Sequence, residues 1–200
     1  MQVYSHLPDG TESDSYLLLD GEEGIWIDPS VPLAAFGLPH TPRITAILLT
    51  HGHFDHILAL EQAARICPRV FAGRADLPML ADPYANASAL FGFPPVRYGG
   101  EVRPLSDGDE IAFSGASVRV IAAPGHTAGS VVYRCGDRLF TGDTLFCGGV
   151  GRTDLPTGSP AELRRSLARL AALEGECEIY PGHGCATTLS HERKYNSWLS

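Results

Sequence analysis

The sequence has few basic residues for its length, and this scarcity argues against whole classes of partner. Lysine and arginine together number 15, against 23 aspartates and glutamates, so the formal net charge is −8. Nucleic acids and anionic membranes are bound through basic surfaces. We therefore expect no nucleic-acid partner and no membrane partner, and we expect the ligand to be a small molecule. The sequence does not indicate an oligomeric state.

Export and membrane signals are missing as well. No apolar run is long enough to span a bilayer. The N-terminal stretch, MQVYSHLPDG, lacks the basic segment and apolar core of a secretory signal. The five cysteines are odd in number, widely spaced and without a CxxC motif, which is typical of reduced thiols. These features predict a cytoplasmic protein.

The remaining composition is that of an ordinary globular protein. Hydrophobic residues make up 44% and charged residues 19%, and a length of 200 residues suits a single domain, 1–200, with a real core. Short apolar runs bounded by turn residues predict strands at 15–20, 24–28, 44–50, 69–72, 101–105, 109–113, 117–123, 129–135, 137–141 and 177–180.

Helical spacing predicts three helices among these strands. One follows His56 and is expected to be capped by Asp55, one begins at Ser159 with a Ser-Pro-Ala-Glu capping box, and a short one covers 190–199. Residues 74–98 predict short helices and loops, either an insertion that covers a site or a plain surface feature. The order of elements predicts an α+β domain. Two sheets between helices fit this order, but the pattern leaves other α+β topologies open.

The most informative stretch is LTHGHFDHI, which follows a buried strand and contains His51, His53, Asp55 and His56. In an extended chain, residues two apart project to the same face, so His51 and His53 can converge on one point. Asp55 and His56 lie at the following turn and can aim elsewhere. Imidazole and carboxylate groups bind zinc, iron or manganese. This one cluster can therefore contribute to two adjacent metal positions.

Three further strands end in a possible ligand. VIAAPGHTAGS places His126 after an apolar run, LFTGDTLF places Asp143 after another, and EIYPGHG places His183 between two glycines. Each of these residues taken alone is more typical of an ordinary loop. Together they supply the ligands that the first cluster lacks, because two metals need about six protein ligands and a bridging water.

These motifs, in this order, resemble the metallo-β-lactamase-fold hydrolases. The stretches LFCGGVGRTDLPTGS and PGHGCATTLSHERKYN resemble the single-domain glyoxalase II-like group, or hydroxyacylglutathione hydrolase-like group. The resemblance covers nearly the whole chain and implies a four-layer αβ/βα sandwich with metals at one sheet edge. It implies that His51, His53 and His126 hold a first metal, that Asp55, His56 and His183 hold a second, and that Asp143 bridges both.

The resemblance also implies a cofactor and a mechanism. Two divalent ions are expected, zinc in the first place, with iron or manganese as alternatives. A hydroxide held between them would attack the acyl carbon of a small thioester such as S-lactoylglutathione, with Asp55 and Asp143 as the catalytic carboxylates. Thr50, Arg152 and Asp154 are candidates for fixing the ligand rings. Arg152 is equally compatible with a substrate carboxylate or with a structural ion pair to Asp154.

Some features depart from the glyoxalase II pattern. Asp14 stands where the relatives usually have asparagine, and Asn196-Ser197 where they often have Asn-Pro. Glyoxalase II enzymes also carry a helical C-terminal domain that helps to grip glutathione, whereas this sequence ends at Ser200. We therefore expect the thioester carbonyl to matter more than the peptide part of the thiol.

Two alternative functions remain open at this stage. Persulfide dioxygenases share the fold and use one iron, whose ligands here would be His51, His126 and Asp143. A metal-binding protein without catalysis is the other alternative. A β-lactamase is disfavoured because no export signal is visible and those enzymes commonly have cysteine at the position of Asp143. A nuclease is disfavoured by the net charge.

Overall fold

The computed structural model describes residues 1–8 and 10–199, and these form two β-sheets with helices on their outer faces. The strands are β1 (Gln2–His6), β2 (Ser15–Asp20), β3 (Glu23–Ile27), β4 (Arg43–Leu49), β5 (Val70–Gly73), β6 (Arg103–Leu105), β7 (Glu110–Phe113), β8 (Ala116–Ala122), β9 (Val131–Cys135), β10 (Arg138–Gly142), β11 (Leu145–Phe146), β12 (Gly149–Val150), β13 (Glu178–Pro181) and β14 (Thr187–Thr188). The α-helices are α1 (Leu60–Ile66), α2 (Pro160–Ala171) and α3 (Leu189–Tyr195). Shorter 3₁₀ segments cover Leu33–Phe36, Phe54–His56 and Arg74–Ala81.

The two large sheets each contain six strands. The first has the order β1-β2-β3-β4-β5-β6, with β3 to β6 parallel to one another. The second has the order β14-β13-β10-β9-β8-β7, and only β10 and β13 form a parallel pair within it. Strands β11 and β12 form a separate small hairpin.

Three apolar clusters show how the layers pack. Alternate residues of a strand face opposite sides of a sheet, so Ile25 and Ile27 of β3 lie in the core between the sheets while Trp26 faces outward. Outward residues of the first sheet pack on α1, and those of the second sheet pack on α2. The predicted four-layer αβ/βα sandwich is therefore confirmed.

The strands predicted from the sequence are present with shifts of one or two residues at their ends, but four further strands were not predicted: the edge strands β1 and β14 and the hairpin strands β11 and β12. The prediction that Asp55 caps a helix directly after His56 is wrong. Asp55 lies inside the 3₁₀ segment Phe54–His56, and α1 begins at Leu60 without a side-chain cap. The carboxylate of Asp55 instead lies 3.2 Å from Nε2 of His183, so it faces the candidate site.

The cap predicted for the longest helix is confirmed in part. The Ser159 hydroxyl accepts a hydrogen bond from the Glu162 amide at 3.3 Å. The reciprocal half of the capping box does not form, because the Glu162 carboxylate pairs with Arg165 and the Ser159 amide donates to the Gly125 carbonyl at 2.7 Å. The start of α2 is thereby tied to the loop that carries His126.

Strand direction decides where the polar motifs meet. Strands β3 and β4 of the first sheet run parallel, and β8, β10 and β13 of the second sheet point the same way because β9 is antiparallel to both of its neighbours. The residues that follow these five strands therefore lie at one edge of the sandwich. Within residues 1–8 and 10–199, no helix combines the length and the hydrophobicity needed to cross a bilayer.

The layered packing predicts a large stability loss at Leu167, which α2 buries completely against the second sheet. Leu167→Ala should lower the free energy of unfolding by about 3 kcal/mol, because it removes apolar contact and leaves a cavity. Leu7→Ala is the matched control, since the Leu7 side chain is 54% exposed, and its change should stay within about 0.5 kcal/mol. Urea denaturation of both metal-free variants measures the difference, and equal losses would contradict the packing described here.

Candidate metal centre

Seven histidine and aspartate side chains from separate loops come together at the common edge of the two sheets. They form three overlapping groups that are spaced to hold a metal ion: His51, His53 and His126; His51, His56 and Asp143; and Asp55, His56 and His183. The first and third groups are the two ligand sets expected from the sequence. Assignment of the seven as metal ligands stays a prediction.

Imidazole nitrogens meet closely in the first group. Nε2 of His126 lies 2.8 Å from Nδ1 of His53 and 3.2 Å from Nε2 of His51. All three side chains are buried. Three neutral imidazoles facing one point are a common donor set for zinc.

Asp143 lies between this group and the second one. Its Oδ2 is 3.5 Å from Nε2 of His126 and 3.7 Å from Nε2 of His183. Nε2 of His183 is also 3.2 Å from Oδ2 of Asp55. Asp143 therefore occupies the position that a ligand shared by two ions needs.

Two buried polar atoms at the centre of the cluster test whether these residues fit a metal. Nε2 of His56 and Oδ1 of Asp143 lie 3.2 Å apart, yet neither has a hydrogen-bond partner. Leaving a buried polar atom unpaired costs about 1–3 kcal/mol. A cation would satisfy both atoms at once, so the donor set fits a metal centre.

The proton positions on Nδ1 of two rings, His126 and His56, follow from their outer hydrogen bonds. Nδ1 of His126 donates to the Arg152 carbonyl at 2.7 Å. Nδ1 of His56 lies 2.9 Å from Oδ2 of Asp28 and donates to it. In each neutral ring the inward Nε2 is then unprotonated, which is the form that binds metal.

The electrostatic environment differs from ring to ring. Burial, assisted by the neighbouring histidines, holds the pKa of His51 well below its usual value and lowers the pKa of His53 to about 3. Burial also acts to lower the pKa of His56, but facing carboxylates, Asp28 foremost, raise it well above its usual value. Burial opposes ionisation of Asp143, yet the adjacent histidines, His56 foremost, hold its pKa below the usual range. The pKa shifts thus favour neutral rings at His51 and His53, a protonated ring at His56 in the absence of metal, and an ionised carboxylate at Asp143.

Asp28 is a positioning residue that the sequence reasoning missed. Its Oδ1 accepts the Thr50 amide at 2.7 Å, and its Oδ2 accepts the Thr50 hydroxyl at 2.6 Å as well as His56. The residue has a φ of 47°, an uncommon value for a residue other than glycine, of the kind that concentrates at functional sites. A signal was present in the sequence, since Asp28 ends the predicted strand GIWID at the same edge.

Asp76 is a second missed residue, and it joins two ligand loops. Its fully buried carboxylate accepts hydrogen bonds from the Gly52 amide at 2.9 Å, the Gly129 amide at 2.7 Å and the Thr127 hydroxyl at 2.6 Å. Gly52 lies between His51 and His53, and Thr127 follows His126. Asp76 therefore fixes the two loops that form the histidine group.

The three residues expected to fix the ligand rings behave differently from one another. Thr50 lies behind the site, with its hydroxyl 3.2 Å from Nδ1 of His51. The Arg152 side chain forms two 2.7 Å hydrogen bonds to Asp154, and both residues are exposed. It is the backbone carbonyl of Arg152, not its guanidinium, that contacts a ligand ring, His126. Asp154 contacts Arg152 and no ligand ring.

Position 182 requires a glycine because two candidate ligands lie very close to its Cα atom. A Cβ atom on Gly182 would collide with Oδ1 of Asp143 and press on the ring of His56. The PGHG sequence thus lets the chain pass close behind the ligands before His183. The Gly182 carbonyl also accepts the Asp14 amide at 2.7 Å, which joins this loop to the start of β2.

The metal-ligand cluster forms the floor of an open cavity of about 520 Å³. Side chains from several loops line it, namely those of Thr11, His53, Phe54, Asp55, Ala87, Phe91, His126, Asp143, Phe146, Arg152, Leu155 and His183. A concave site with convergent polar groups is the usual form of a small-molecule site.

Sequence comparisons place this chain among known proteins. A family model described as the metallo-beta-lactamase superfamily matches residues 8–183. A probable metallo-hydrolase of Methanocaldococcus jannaschii is 35% identical over 88% of this chain and 89% of its own length. A hydroxyacylglutathione hydrolase of Acidiphilium cryptum is 35% identical over 94% of this chain and 70% of its own length.

Solved structures with the same fold span this chain almost completely. BLEG-1, a B3 metallo-beta-lactamase, has a TM-score of 0.91 and 28% identity, and the match covers 100% of both chains. TTHA1623, crystallised in a di-iron-bound form, has a TM-score of 0.84 and 35% identity, covering 98% of this chain and 100% of its own. ETHE1 from Myxococcus xanthus has a TM-score of 0.76 and 28% identity, covering 98% and 84%.

The contacts of Asp76 predict a defect in metal retention. Asp76→Ala should leave the two buried amides of Gly52 and Gly129 unpaired, lowering the free energy of unfolding by about 3 kcal/mol and weakening metal binding. Metal content after dialysis against a chelator measures the second effect, and Asp76→Asn, which keeps one acceptor oxygen, should be milder. Asp82→Ala is the control, because Asp82 also accepts two backbone amides but is exposed. Folded Asp76→Ala with wild-type metal retention would contradict the positioning role.

Proposed function

The chain belongs to the metallo-beta-lactamase superfamily, and we propose that it is a binuclear metal-dependent hydrolase that cleaves small acyl thioesters. The observation that carries this proposal is the pair of ligand groups on either side of Asp143 at the floor of one cavity. The similarity to hydroxyacylglutathione hydrolase, at 35% identity, supports thioesters as the substrate class. We propose a cytoplasmic location from the cysteine pattern alone.

His51, His53 and His126 would hold one ion and Asp55, His56 and His183 the other, with Asp143 shared. Bound divalent ions lower the pKa of water towards neutrality and polarise a carbonyl oxygen. Zinc is the proposed metal on the basis of the donor set. The di-iron form of TTHA1623 supports two ions per chain and makes iron the main alternative.

The chain's own residues supply orientation and proton handling. Oδ2 of Asp55 lies at the cavity floor, 3.2 Å from Nε2 of His183, where it can orient the attacking water and hold its proton. Phe54 and Leu155 line the cavity above this carboxylate and limit the entry of bulk water. The thiolate released from a thioester is a good leaving group, so no dedicated general acid is required.

The alternative function is that of a persulfide dioxygenase, because ETHE1 is 28% identical to this chain. A single iron would use His51, His126 and Asp143 and would leave the group of Asp55, His56 and His183 without a role. That second group is spaced as closely as the first. The completeness of both groups therefore favours the hydrolase.

Metal content separates these two functions. The protein purified without chelator should contain about two metal ions per chain, because it offers two ligand groups. Elemental analysis gives the stoichiometry, and assays with S-lactoylglutathione, a β-lactam and glutathione persulfide give the reaction. One iron per chain together with oxygen uptake on the persulfide would overturn the hydrolase proposal in favour of the dioxygenase.

Asp143 should be the ligand whose loss costs most. Asp143→Ala removes the carboxylate between the two groups, so kcat/KM for a thioester should fall by about 100- to 1000-fold, as for removal of a major electrostatic contribution, and metal content should fall to one ion or fewer. His191→Ala is the control, because His191 is exposed and packs only against Tyr195 among the aromatic rings. Near-normal turnover with full metal content in Asp143→Ala would show that this carboxylate is not shared.

A further inference from the structure

We propose that the cavity is specific for thioesters with an uncharged, apolar group next to the scissile bond, and that Phe91 and Phe146 set this preference. This inference rests on the proposed thioesterase function and names the class of substrate for the same site. It differs from the expectation of an S-lactoylglutathione-like substrate, in which one side of the bond is a small hydroxyacyl group and the other a charged tripeptide.

Aromatic side chains line the cavity that holds the metal-ligand cluster. Phe91 packs against Phe54, with 6.1 Å between ring centroids, and these two rings and Ala87 contribute to an apolar wall. Phe146 also lines the cavity, and its ring lies edge-on to the ring of His183, with 6.2 Å between centroids. A group attached to a carbonyl carbon bound in this cavity would therefore meet apolar surface.

Phe91 presents apolar surface to the cavity. Its exposed fraction is 50%, whereas the ring that it packs against, Phe54, is buried at 4%. An apolar ligand in the cavity would remove this surface from water, and burial of apolar surface is the main favourable contribution in such pockets.

The charges in the cavity do not match a glutathione carrier. Glutathione presents two carboxylates, and such groups are normally bound by arginine or lysine. Of the described residues that line the cavity, Arg152 alone has such a side chain, and its Nε and Nη2 already donate to Asp154 at 2.7 Å, which offsets its charge. Cζ of the Arg152 guanidinium also lies 5.7 Å from the centroid of the Phe91 ring. The guanidinium therefore extends the wall that Phe91 forms.

Phe91 and Ala87 belong to residues 74–98, for which the sequence was compatible with either a cover over a site or a plain surface insertion. Because both residues line the cavity, the segment contributes to the site. This segment starts with the 3₁₀ helix Arg74–Ala81, whose Asp76 anchors the histidine loops. It then returns over the site, where Phe93 packs on Phe54 with 4.8 Å between ring centroids. The segment therefore both supports the ligand loops and forms one wall of the cavity.

The test measures kcat/KM for thioesters that differ in one group at a time. The first arm keeps N-acetylcysteamine, an uncharged thiol, and varies the acyl group from acetyl through butyryl to hexanoyl. The second arm keeps the acetyl group and compares N-acetylcysteamine with hexanethiol and glutathione. At up to about threefold per buried methylene, we expect a rise of at least about tenfold along one arm, and no advantage for glutathione.

Variants identify the residues responsible. Phe91→Ala should abolish most of the rise with chain length, lowering kcat/KM for the hexanoyl ester at least about tenfold more than for the acetyl ester, and Phe91→Leu should retain most of the rise. Phe146→Ala should also flatten the series. Tyr84→Ala is the matched control, because Tyr84 lies in the same segment with an exposed fraction of 64% and does not line the cavity.

Two different outcomes separate this inference from the function on which it rests. The apolar preference would be wrong if kcat/KM varied less than threefold along both arms, or if it were at least tenfold higher for the glutathione ester. Either result would still support the thioesterase function. Absence of hydrolysis with every ester in a protein carrying its full complement of metal would overturn both. Calorimetric binding of hexanoate against acetate provides a readout without turnover, and equal affinities would also count against the apolar walls.

Discussion

Two buried carboxylates hold the loops of the metal centre in place, and the geometry of the site depends on them. Asp28 binds Thr50 and the ring of His56, while Asp76 binds the backbone on both sides of the histidine group. Burying a carboxylate is costly unless hydrogen bonds satisfy it. Burial raises the pKa of Asp76, and the donors around it act in the opposite direction. Each carboxylate thus converts loop backbone, which is ordinarily mobile, into a fixed support for metal ligands.

In the account proposed here, different parts of the fold bind metal and select substrate. Strand ends β3, β4, β8, β10 and β13 deliver the ligands and their supports to one edge, where rigid sheets fix their spacing. Residues 74–98 and the β11–β12 hairpin supply the side chains above that edge, among them Phe91 and Phe146. Loops on a rigid scaffold can change without disturbing the metal centre.

The convergence of the seven candidate ligands could be predicted because they occur in short motifs at strand ends. Apolar runs followed by His51, His126 or His183 identify both the strand and the ligand, and the sheet topology brings them together. The supporting residues were harder to find, since Asp76 acts on a backbone amide 53 positions away in the chain. No local pattern encodes such a contact. The wrong prediction of a helix cap at Asp55 has a related cause. An acidic residue is locally favoured at a helix start, but the Asp55 carboxylate contacts His183, which is distant in the sequence.

A crystal structure of the metal-loaded protein, with anomalous data collected at the zinc and iron absorption edges, tests the central claim most directly. Our account predicts two ions, one held by His51, His53 and His126 and one by Asp55, His56 and His183, with Asp143 contacting both. A single ion with the second group unliganded, at full metal supply, would contradict the binuclear centre and the hydrolytic function proposed from it.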